Sequence, residues 1–196
     1  MLILGADTSL PLLSVALLRD GILIGEVALE GKGSRNEKLL PAIDWLLTES
    51  GVAREAIDLF AVTRGPGSFT GVRIGLATIQ GLALALDRPL CAMSTHEAIA
   101  LGGGHDSVLI ADDAGRGEFY ISRFENGVET IPPRLAASVA EPHLTIADVL
   151  QRTNVAASCA KRAAQLFAAG RVAGYADITP IYVRLAEAEV KLQQKG

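Results

Sequence analysis

The chain has 196 residues, which is enough for one domain of ordinary size or for two small lobes. Hydrophobic residues make up 49% of the chain, charged residues make up 20%, and the formal net charge is −4. Because proteins that bind nucleic acid on their own are usually basic, this balance argues against strong direct binding of RNA or DNA. The low fraction of charged residues favours a protein partner that covers apolar surface.

Cysteine usage and the N-terminal residues limit the class of protein further. Cys91 and Cys159 are too few for a disulfide framework and lie in apolar surroundings, which is typical of buried thiols. The chain starts without basic residues and reaches Asp7 too early for a signal peptide. The longest uncharged run, 74–86, is shorter than the roughly 20 residues that span a bilayer. We therefore expect a soluble, cytoplasmic protein with no membrane segment.

The first half of the chain alternates between strand and helix patterns. An apolar run at 2–7 predicts a buried strand, and 12–30 predicts two strands joined by a tight Asp20-Gly21 turn. The elements that follow are a helix at 31–51, a strand at 57–65, a helix at 68–87, a strand at 88–94 and a helix at 95–103.

The predicted first helix has one apolar face and one large residue outside that face. Leu39, Ile43 and Leu46 recur at helical spacing, whereas Trp45 lies roughly opposite them. Because Trp45 is excluded from the buried face, it is a candidate anchor for a protein interface.

The start of this helix depends on two further signals. Ser34 or Asn36 is expected to cap it, and Gly51 suits its end. Pro41 is expected in the first turn, because a proline farther along kinks a helix.

The second half begins after a run of glycines at 102–104, which predicts a hinge or linker. An Asn126-Gly127 pair predicts another hairpin turn. The predicted elements are strands at 107–112, 118–125 and 128–133, a helix at 144–153 that opens at Thr145, a strand at 155–160, a helix at 161–170 and a closing segment at 180–194.

Both halves therefore run as strands followed by helix, strand and helix. The sequence predicts an α/β protein with two βββαβα-like lobes, at 1–103 and 104–196, and partner-binding helices in the first. Two such lobes form the ribonuclease-H-like architecture of actin, Hsp70 and the sugar kinases (ASKHA), although a fold does not set a function.

In that architecture the first hairpin usually holds phosphate, so Asp7, Thr8 and Ser9 are weak candidates for nucleotide binding. No glycine follows them, and the apolar residues 10–13 crowd the phosphate position. A strand-end turn with locally bonded hydroxyls is therefore favoured. A small ATPase or kinase of the same fold is the alternative function.

The matching turn of the second lobe holds Asp112 and Asp113, followed by Arg116 and Glu118. Paired carboxylates are able to bind Mg²⁺, but they also repel a phosphate group. A solvated turn with internal pairing is favoured.

Residues for metal binding and catalysis are scattered. His96, His105 and His143 form no pair on one helix face. Ser94 and Thr95 adjoin His96 in sequence, which does not place a base against a nucleophile. We therefore predict no catalytic residue, no metal site and no cofactor of the chain's own.

The stretch Thr63–Gly75 has the glycines of a phosphate loop but lacks the lysine that a Walker loop requires. A Gly-Pro-Gly turn follows the predicted strand, and Ser68 or Thr70 is positioned to cap the next helix. We interpret the stretch as the turn that starts an association helix, with Arg64 and Arg73 as polar contacts at its rim.

Small residues recur along that helix. Gly71 and Gly75 lie four residues apart, and each glycine costs about 1 kcal/mol relative to alanine inside a helix. These positions predict the close approach of another backbone, so we expect Gly75→Leu to disrupt association while the lobe stays folded. The predicted partner-binding residues are Leu39, Ile43, Trp45, Gly71, Val72, Gly75, Thr78 and Ile79.

Five segments, in order along nearly the whole chain, resemble one protein family. They are ILGADTS at 3–9, LLPAID at 39–44, RGPGSFTGVRIGLATIQGLALAL at 64–86, DDAGRGEFY at 112–120 and PIYVR at 180–184. The chain resembles the TsaB (YeaZ) family of the bacterial tRNA threonylcarbamoyladenosine machinery. It departs from that pattern at 34–37, Ser-Arg-Asn-Glu, where relatives often carry a His-Ser-Glu type sequence.

The resemblance implies a non-catalytic scaffold or activator that shares the fold of the TsaD transferase and lacks its metal site. Family members pair with a TsaD-like transferase subunit through two helices of the first lobe, a TsaE-like ATPase joins the pair, and members alone form homodimers. The complex transfers threonylcarbamoyl to adenosine 37 of ANN-decoding tRNAs. On this resemblance, ATP and metal belong to the partner subunits, and tRNA binds only through the complex.

Overall fold

A computed structural model describes residues 1–30, 35–104, 106–150, 153–172 and 174–184. Within these residues the chain builds two β-sheets with helices packed against them. The predicted α/β class is therefore confirmed.

The first sheet has five strands in the order β3-β2-β1-β4-β5. The first three strands pair antiparallel, β4 is added parallel to β1, and β5 is added parallel to β4. The strands are β1 (Leu2–Asp7), β2 (Leu12–Arg19), β3 (Ile22–Glu30), β4 (Leu59–Thr63) and β5 (Leu90–Met93). This is the ribonuclease-H-like sheet that the sequence predicts, and its parallel pairs are joined through helices, as parallel strands require.

Helices cover both faces of this sheet. The helices are α1 (Arg35–Glu49), α2 (Phe69–Ala85), α3 (Thr95–Gly103), α4 (Ile146–Leu150) and α5 (Val155–Ala168), with short 3-10 turns at Arg54–Ala56 and Tyr175–Asp177. Leu4 of β1 packs in one core with residues of α1 and α2, while the neighbouring Ile3 packs in a second core with α3 and α5. The alternation of side chains along a strand thus places two cores on opposite faces.

The second sheet has the strand order β8-β7-β6-β9. Its strands are β6 (Ser107–Gly115), β7 (Glu118–Glu125), β8 (Val128–Ala136) and β9 (Leu144–Thr145). β9 pairs parallel to β6, and α4 follows it directly. The Thr145 hydroxyl accepts from the backbone N–H of Asp148 at 3.2 Å, so the predicted helix opening at Thr145 is confirmed.

Both predicted hairpin turns have the expected backbone. Asp20 and Gly21 have φ values of 50° and 82°, and Asn126 and Gly127 have φ values of 51° and 73°. Two successive positive φ angles are the signature of the tight turns that match the twist of antiparallel strands.

The strand predicted at 155–160 is wrong, because these residues form the first part of α5, which continues to Ala168. The small apolar residues there have helical spacing as well, and their buried stripe is Ala156, Cys159, Ala160 and Ala163. This stripe packs on the first sheet, where a Cβ atom on Gly5 would lie 2.3 Å from the carbonyl oxygen of Ala156. The second lobe therefore departs from the predicted βββαβα order.

Three other expectations concern element boundaries. Pro41 lies inside α1 rather than in its first turn, because the helix already begins at Arg35. Ser34 and the segment after Arg184 lie outside the described residues. The division of the chain at Gly103 stays a prediction; α5, which follows that boundary, contacts β1, β2 and β4 of the first sheet.

Candidate functional site

The outward faces of α1 and α2 form an exposed apolar surface. Trp45 and Leu84 are 55% and 65% exposed, and Leu40 is 45% exposed. Ala77 and Gly81 are exposed on α2, and a Cβ atom on Gly81 would meet nothing within 4 Å. These five residues, called the α1–α2 outer surface below, are exposed apolar positions of the two helices. Exposed helix faces usually carry charged residues, so an apolar one is a candidate surface for a partner.

The predicted partner-binding residues fall into two groups. Trp45 is exposed and Thr78 is half-buried, so both reach the surface. The buried group belongs to the core under the sheet or packs directly on it: Leu39, Ile43, Gly71, Val72, Gly75 and Ile79. A role of these residues in partner binding stays a prediction, but their side chains contact this chain's own sheet.

The close neighbour of the glycine row is Thr8 of the same chain. The Thr8 hydroxyl donates to the carbonyl oxygen of Gly71 at 2.6 Å. A Cβ atom on Gly75 would lie 2.3 Å from Thr8 Oγ1, well inside van der Waals contact. The interpretation that Gly75 admits a partner's backbone is therefore wrong, because the space that it leaves is filled by Thr8, directly after β1. The expectation that Gly75→Leu leaves the lobe folded stays a prediction, which this contact opposes.

Two aromatic rings and an arginine lie at the N-terminal end of α2. The Arg73 guanidinium stacks 3.9 Å from the centre of the Phe69 ring and donates from Nε to the Tyr182 hydroxyl at 2.6 Å. A cleft of about 310 Å³ adjoins this cluster, with Phe69, Tyr182 and Arg116 in its lining. Arg73 thus contacts residues of its own chain, and its role at the rim of an interface stays a prediction. Sequence reasoning missed Tyr182, since it is 109 residues from Arg73 and only the tertiary fold joins them.

The turn before α2 is held by the end of β1. The backbone N–H of Ser68 donates to the Ser9 carbonyl at 2.8 Å, and the Ser68 hydroxyl accepts from Gly71 N–H, which confirms Ser68 as the helix cap. A Cβ atom on Gly67, where φ is +148°, would lie 2.5 Å from the Ser9 carbonyl oxygen. Glycine in this stretch therefore allows its backbone to lie close to another backbone segment of the same chain. Arg64, the other predicted rim residue, donates to the Thr179 carbonyl at 3.3 Å.

The weak nucleotide candidates form a closed turn. Asp7, Thr8 and Ser9 are buried, and Asp7 Oδ1 accepts from the hydroxyls of Ser9, at 2.5 Å, and Thr63. Burial raises the pKa of Asp7, and the hydrogen bonds from Ser9 and Thr63 oppose that rise. The Ser9 and Thr95 hydroxyls share a further hydrogen bond of 2.8 Å. The favoured interpretation, a strand-end turn with locally bonded hydroxyls, agrees with this arrangement.

The carboxylates of the second turn, Asp112, Asp113 and Glu118, each have different surroundings. Burial raises the pKa of Asp112 to about 6, a hydrogen bond from the Asp113 backbone opposes the rise, and the charge of Asp113 adds a smaller rise. Asp113 accepts from the backbone N–H of Gly115 at 2.7 Å, and Glu118 forms an ion pair with Arg184. This internal pairing is what the sequence favoured for the turn.

The described histidines do not meet at one site. His96 is fully buried on α3, its Nδ1 lies 2.8 Å from the Ser122 hydroxyl, and burial lowers its pKa to about 3. His143 lies near the surface and contacts the Glu141 carbonyl, and His105 lies outside the described residues. No group of three or more His, Cys, Asp or Glu side chains suited to a metal ion is found in the described part of the chain.

Across the described ranges, none of the helices combines the length and the apolar character that a membrane crossing requires.

A family model matches residues 32–180, and it describes TsaD, tRNA N6-adenosine threonylcarbamoyltransferase. A transferase of that name from Nitratidesulfovibrio vulgaris is 33% identical over 65% of this chain, but the match covers only 41% of the transferase. The likeness to the transferase is therefore partial.

Other relatives, one of which matches along nearly the whole chain, carry a different name. The tRNA threonylcarbamoyladenosine biosynthesis protein TsaB of Bacillus subtilis is 33% identical over 97% of this chain and 97% of its own length. The TsaB protein of Escherichia coli is 40% identical over 65% of this chain and 58% of its own. Among solved structures, YeaZ from Pseudomonas aeruginosa is 30% identical, with a TM-score of 0.75 over 92% of this chain and 99% of that one. Because sequence and fold agree over nearly the full length, the chain belongs to the TsaB (YeaZ) family of tRNA threonylcarbamoyladenosine biosynthesis proteins.

Proposed function

We propose that this chain acts in tRNA threonylcarbamoyladenosine biosynthesis as a non-catalytic scaffold that binds and activates a TsaD-like transferase. The observation that carries the proposal is the α1–α2 outer surface. It combines a half-exposed tryptophan, Trp45, with a face of α2 where alanine and glycine let another helix approach closely. The partial match to the transferase family supports a partner of related fold.

The charge on this surface favours one type of partner contact. Arg73 is the one charged residue among the described residues of α2, and its guanidinium is already held between Phe69 and Tyr182. Exposed acidic residues, Asp44 and Glu49 among them, lie on α1. A hydrophobic contact with charges of both signs at its edge suits a partner helix that is apolar in its centre and mixed in charge at its rim. The same surface would serve a homodimer when the transferase is absent.

The closed turn at Asp7 supports the non-catalytic part of the proposal. Asp7 is buried and its Oδ1 atom already accepts from two hydroxyls of the same chain, so this oxygen is engaged internally and is not turned to solvent for a metal-bound nucleotide. In this scheme ATP and metal are supplied by the transferase and by a TsaE-like ATPase. The net charge of −4 agrees with tRNA contact through the complex rather than through this chain alone.

Substitutions on the α1–α2 outer surface test this function. Trp45→Ala and Gly81→Leu should each weaken binding to the TsaD-like transferase by at least about 30-fold, the weight of a residue that contributes roughly 2 kcal/mol to an interface. Both side-chain positions are exposed, so the purified chain should stay folded. Binding is measured by calorimetry, and tRNA modification is measured with the reconstituted complex.

Phe167→Ala is the matched control, since Phe167 is 40% exposed on α5, away from the α1–α2 outer surface. It should leave both binding and modification unchanged. Unaltered affinity of the Trp45 and Gly81 variants would place the interface elsewhere. ATP hydrolysis by the chain alone, lost in Asp7→Ala, would overturn the scaffold role in favour of a small ATPase.

A further inference from the structure

The exposed residues of α2 form one continuous stripe along the helix. Its members, in chain order, are Phe69, Arg73, Ala77, Gly81 and Leu84, and all of them are exposed. At 3.6 residues per turn these positions lie within an arc of about 120° around the helix axis. The last three belong to the α1–α2 outer surface, so that surface continues toward the N-terminal end of α2 through Arg73 and Phe69.

Arg73 is held in one orientation by two aromatic rings. Its guanidinium lies 3.9 Å from the centre of the Phe69 ring and 5.4 Å from the centre of the Tyr182 ring, and the two ring centres are 5.0 Å apart. The Nε group donates to the Tyr182 hydroxyl at 2.6 Å. A long side chain ordinarily loses rotamer freedom when it binds a partner, but these contacts have already restricted Arg73 within its own chain.

The two terminal nitrogens of this arginine are directed to no acceptor of the chain itself. In the described ranges, Nη1 and Nη2 of Arg73 make no hydrogen bond, and no carboxylate lies within 4 Å to form an ion pair. The side chain is exposed, as are the Phe69 and Tyr182 rings beside it. A planar guanidinium with a pair of terminal donors matches a carboxylate, whose two oxygens accept parallel N–H bonds.

Position and charge together define the contact. We propose that Arg73 binds an aspartate or glutamate side chain on the transferase helix that covers the α1–α2 outer surface. The inference rests on the proposed scaffold role and adds the residue that selects the partner. A helix that approaches α2 closely at Ala77 and Gly81 has a neighbouring turn beside Arg73, about 6 Å farther toward the N-terminal end of α2. A basic residue on that turn would be repelled, so Arg73 also discriminates against other helices.

Variants of Arg73 test the contact with the purified TsaD-like transferase. Arg73→Gln should weaken binding about tenfold, because it removes a charge-assisted contact. The affinity of this variant should also depend less on salt concentration than that of the native chain. Arg73→Lys should recover only part of the affinity, since an ammonium group lacks the planar pair of donors. The matched control is Arg134→Gln, at an exposed arginine of β8, which should bind as the native chain does.

Charge reversal identifies the group on the partner. Arg73→Glu should weaken binding by more than Arg73→Gln does, because it places two carboxylates together. The exposed aspartates and glutamates of the transferase are then replaced by lysine, one at a time. One of these transferase variants should restore binding to Arg73→Glu while it weakens binding to the native chain. If none restores binding, Arg73 serves only its own fold and the proposed contact is wrong.

The outcomes separate this inference from the scaffold role. If Trp45→Ala and Gly81→Leu weaken transferase binding while Arg73→Gln binds as the native chain does, the scaffold role stands and the arginine contact is wrong. If Arg73→Gln weakens only the association of the chain with itself, the carboxylate belongs to a second copy, which overturns its assignment to the transferase. Native affinity in all three variants would contradict both proposals.

Discussion

His96 is the side chain whose charged form is least compatible with its surroundings. It lies fully buried between the two sheets, and Ser122 of β7 is its hydrogen-bond partner at Nδ1, while Nε2 has none among the described residues. Burial lowers its pKa from 6.5 to about 3. Because the folded pKa lies below the unfolded one, the stability that neutral His96 maintains is complete above pH 6.5 and is lost as pH falls toward 3.

We therefore predict that His96 makes the protein acid-sensitive. Its contribution to the free energy of unfolding should decrease by about 2 kcal/mol between pH 7 and pH 5. Urea unfolding of the native chain and of His96→Asn at both pH values measures this. The raised pKa of Asp7 acts in the opposite direction in both proteins, so the difference between them isolates His96.

The control is His143→Asn, which removes a histidine near the surface. It should keep the pH dependence of the native chain. If His96→Asn loses as much stability at pH 5 as the native chain does, burial of His96 is not the source of the acid sensitivity.

Two of the three glycines of helix α2 have opposite surroundings. Gly75 faces β1, where a Cβ atom would lie 2.3 Å from Thr8 Oγ1, whereas Gly81 faces open space. The same residue type in the same helix is thus required at one position and dispensable for folding at the other.

The substitution of each glycine by alanine should have opposite effects on stability. Gly75→Ala should lower the free energy of unfolding by about 1–3 kcal/mol through overpacking. Gly81→Ala should raise it by about 1 kcal/mol, because alanine is the better helix former. Urea unfolding measures both, and Thr8→Ala in the Gly75→Ala background should recover part of the loss. A destabilised Gly81→Ala variant would show that its face is packed in the folded chain.

At the scale of the whole fold, residues 175–184 cross α2 and return to the second sheet. Gln80 of α2 donates to the carbonyls of Tyr175 and Ile178, both at 3.1 Å. Farther along, Arg184 donates to the Ala114 carbonyl at 2.9 Å and pairs with Glu118 of β7. This segment therefore connects α2 to the second sheet.

Loss of the Gln80 amide should loosen this connection. Gln80→Leu removes the donor of the Ile178 carbonyl, whereas the Tyr175 carbonyl still accepts from the Ile178 N–H at 3.4 Å. We therefore expect stability to fall by about 1–3 kcal/mol. Hydrogen exchange should speed up in peptides that cover 175–184 and stay unchanged in β1. Gln165→Leu is the control, because the exposed Gln165 side chain accepts only from Arg162 among the described residues. This variant should leave both regions as they are. Unchanged exchange in Gln80→Leu would show that the segment is held by its other contacts.

Local patterns in the sequence were sufficient for most of the elements. The Asp-Gly and Asn-Gly turns, the capped helix after Ser68 and the five strands of the first sheet follow from turn chemistry and from the period of the apolar residues. These features depend on neighbours within a few residues, so the chain order alone reveals them. The strand predicted at 155–160 failed because a short run of small apolar residues fits both periods, and only the packing of Ala156 against Gly5 decides for helix.

The candidate site was harder to predict from the sequence than the elements were, because it depends on which side of each helix meets the sheet. The identity of Trp45 as an exposed residue came from the sequence, because it lies opposite an apolar face. The sequence could not show that Gly75 lies against Thr8 or that Gly67 lies against Ser9, because each pair is more than 50 residues apart in the chain. Helix periodicity and turn chemistry depend on residues that are close together in the chain, so the sequence by itself determines them. The partner of a glycine, the burial of a histidine and the walls of a cleft depend on contacts between distant segments, and only the folded chain decides them.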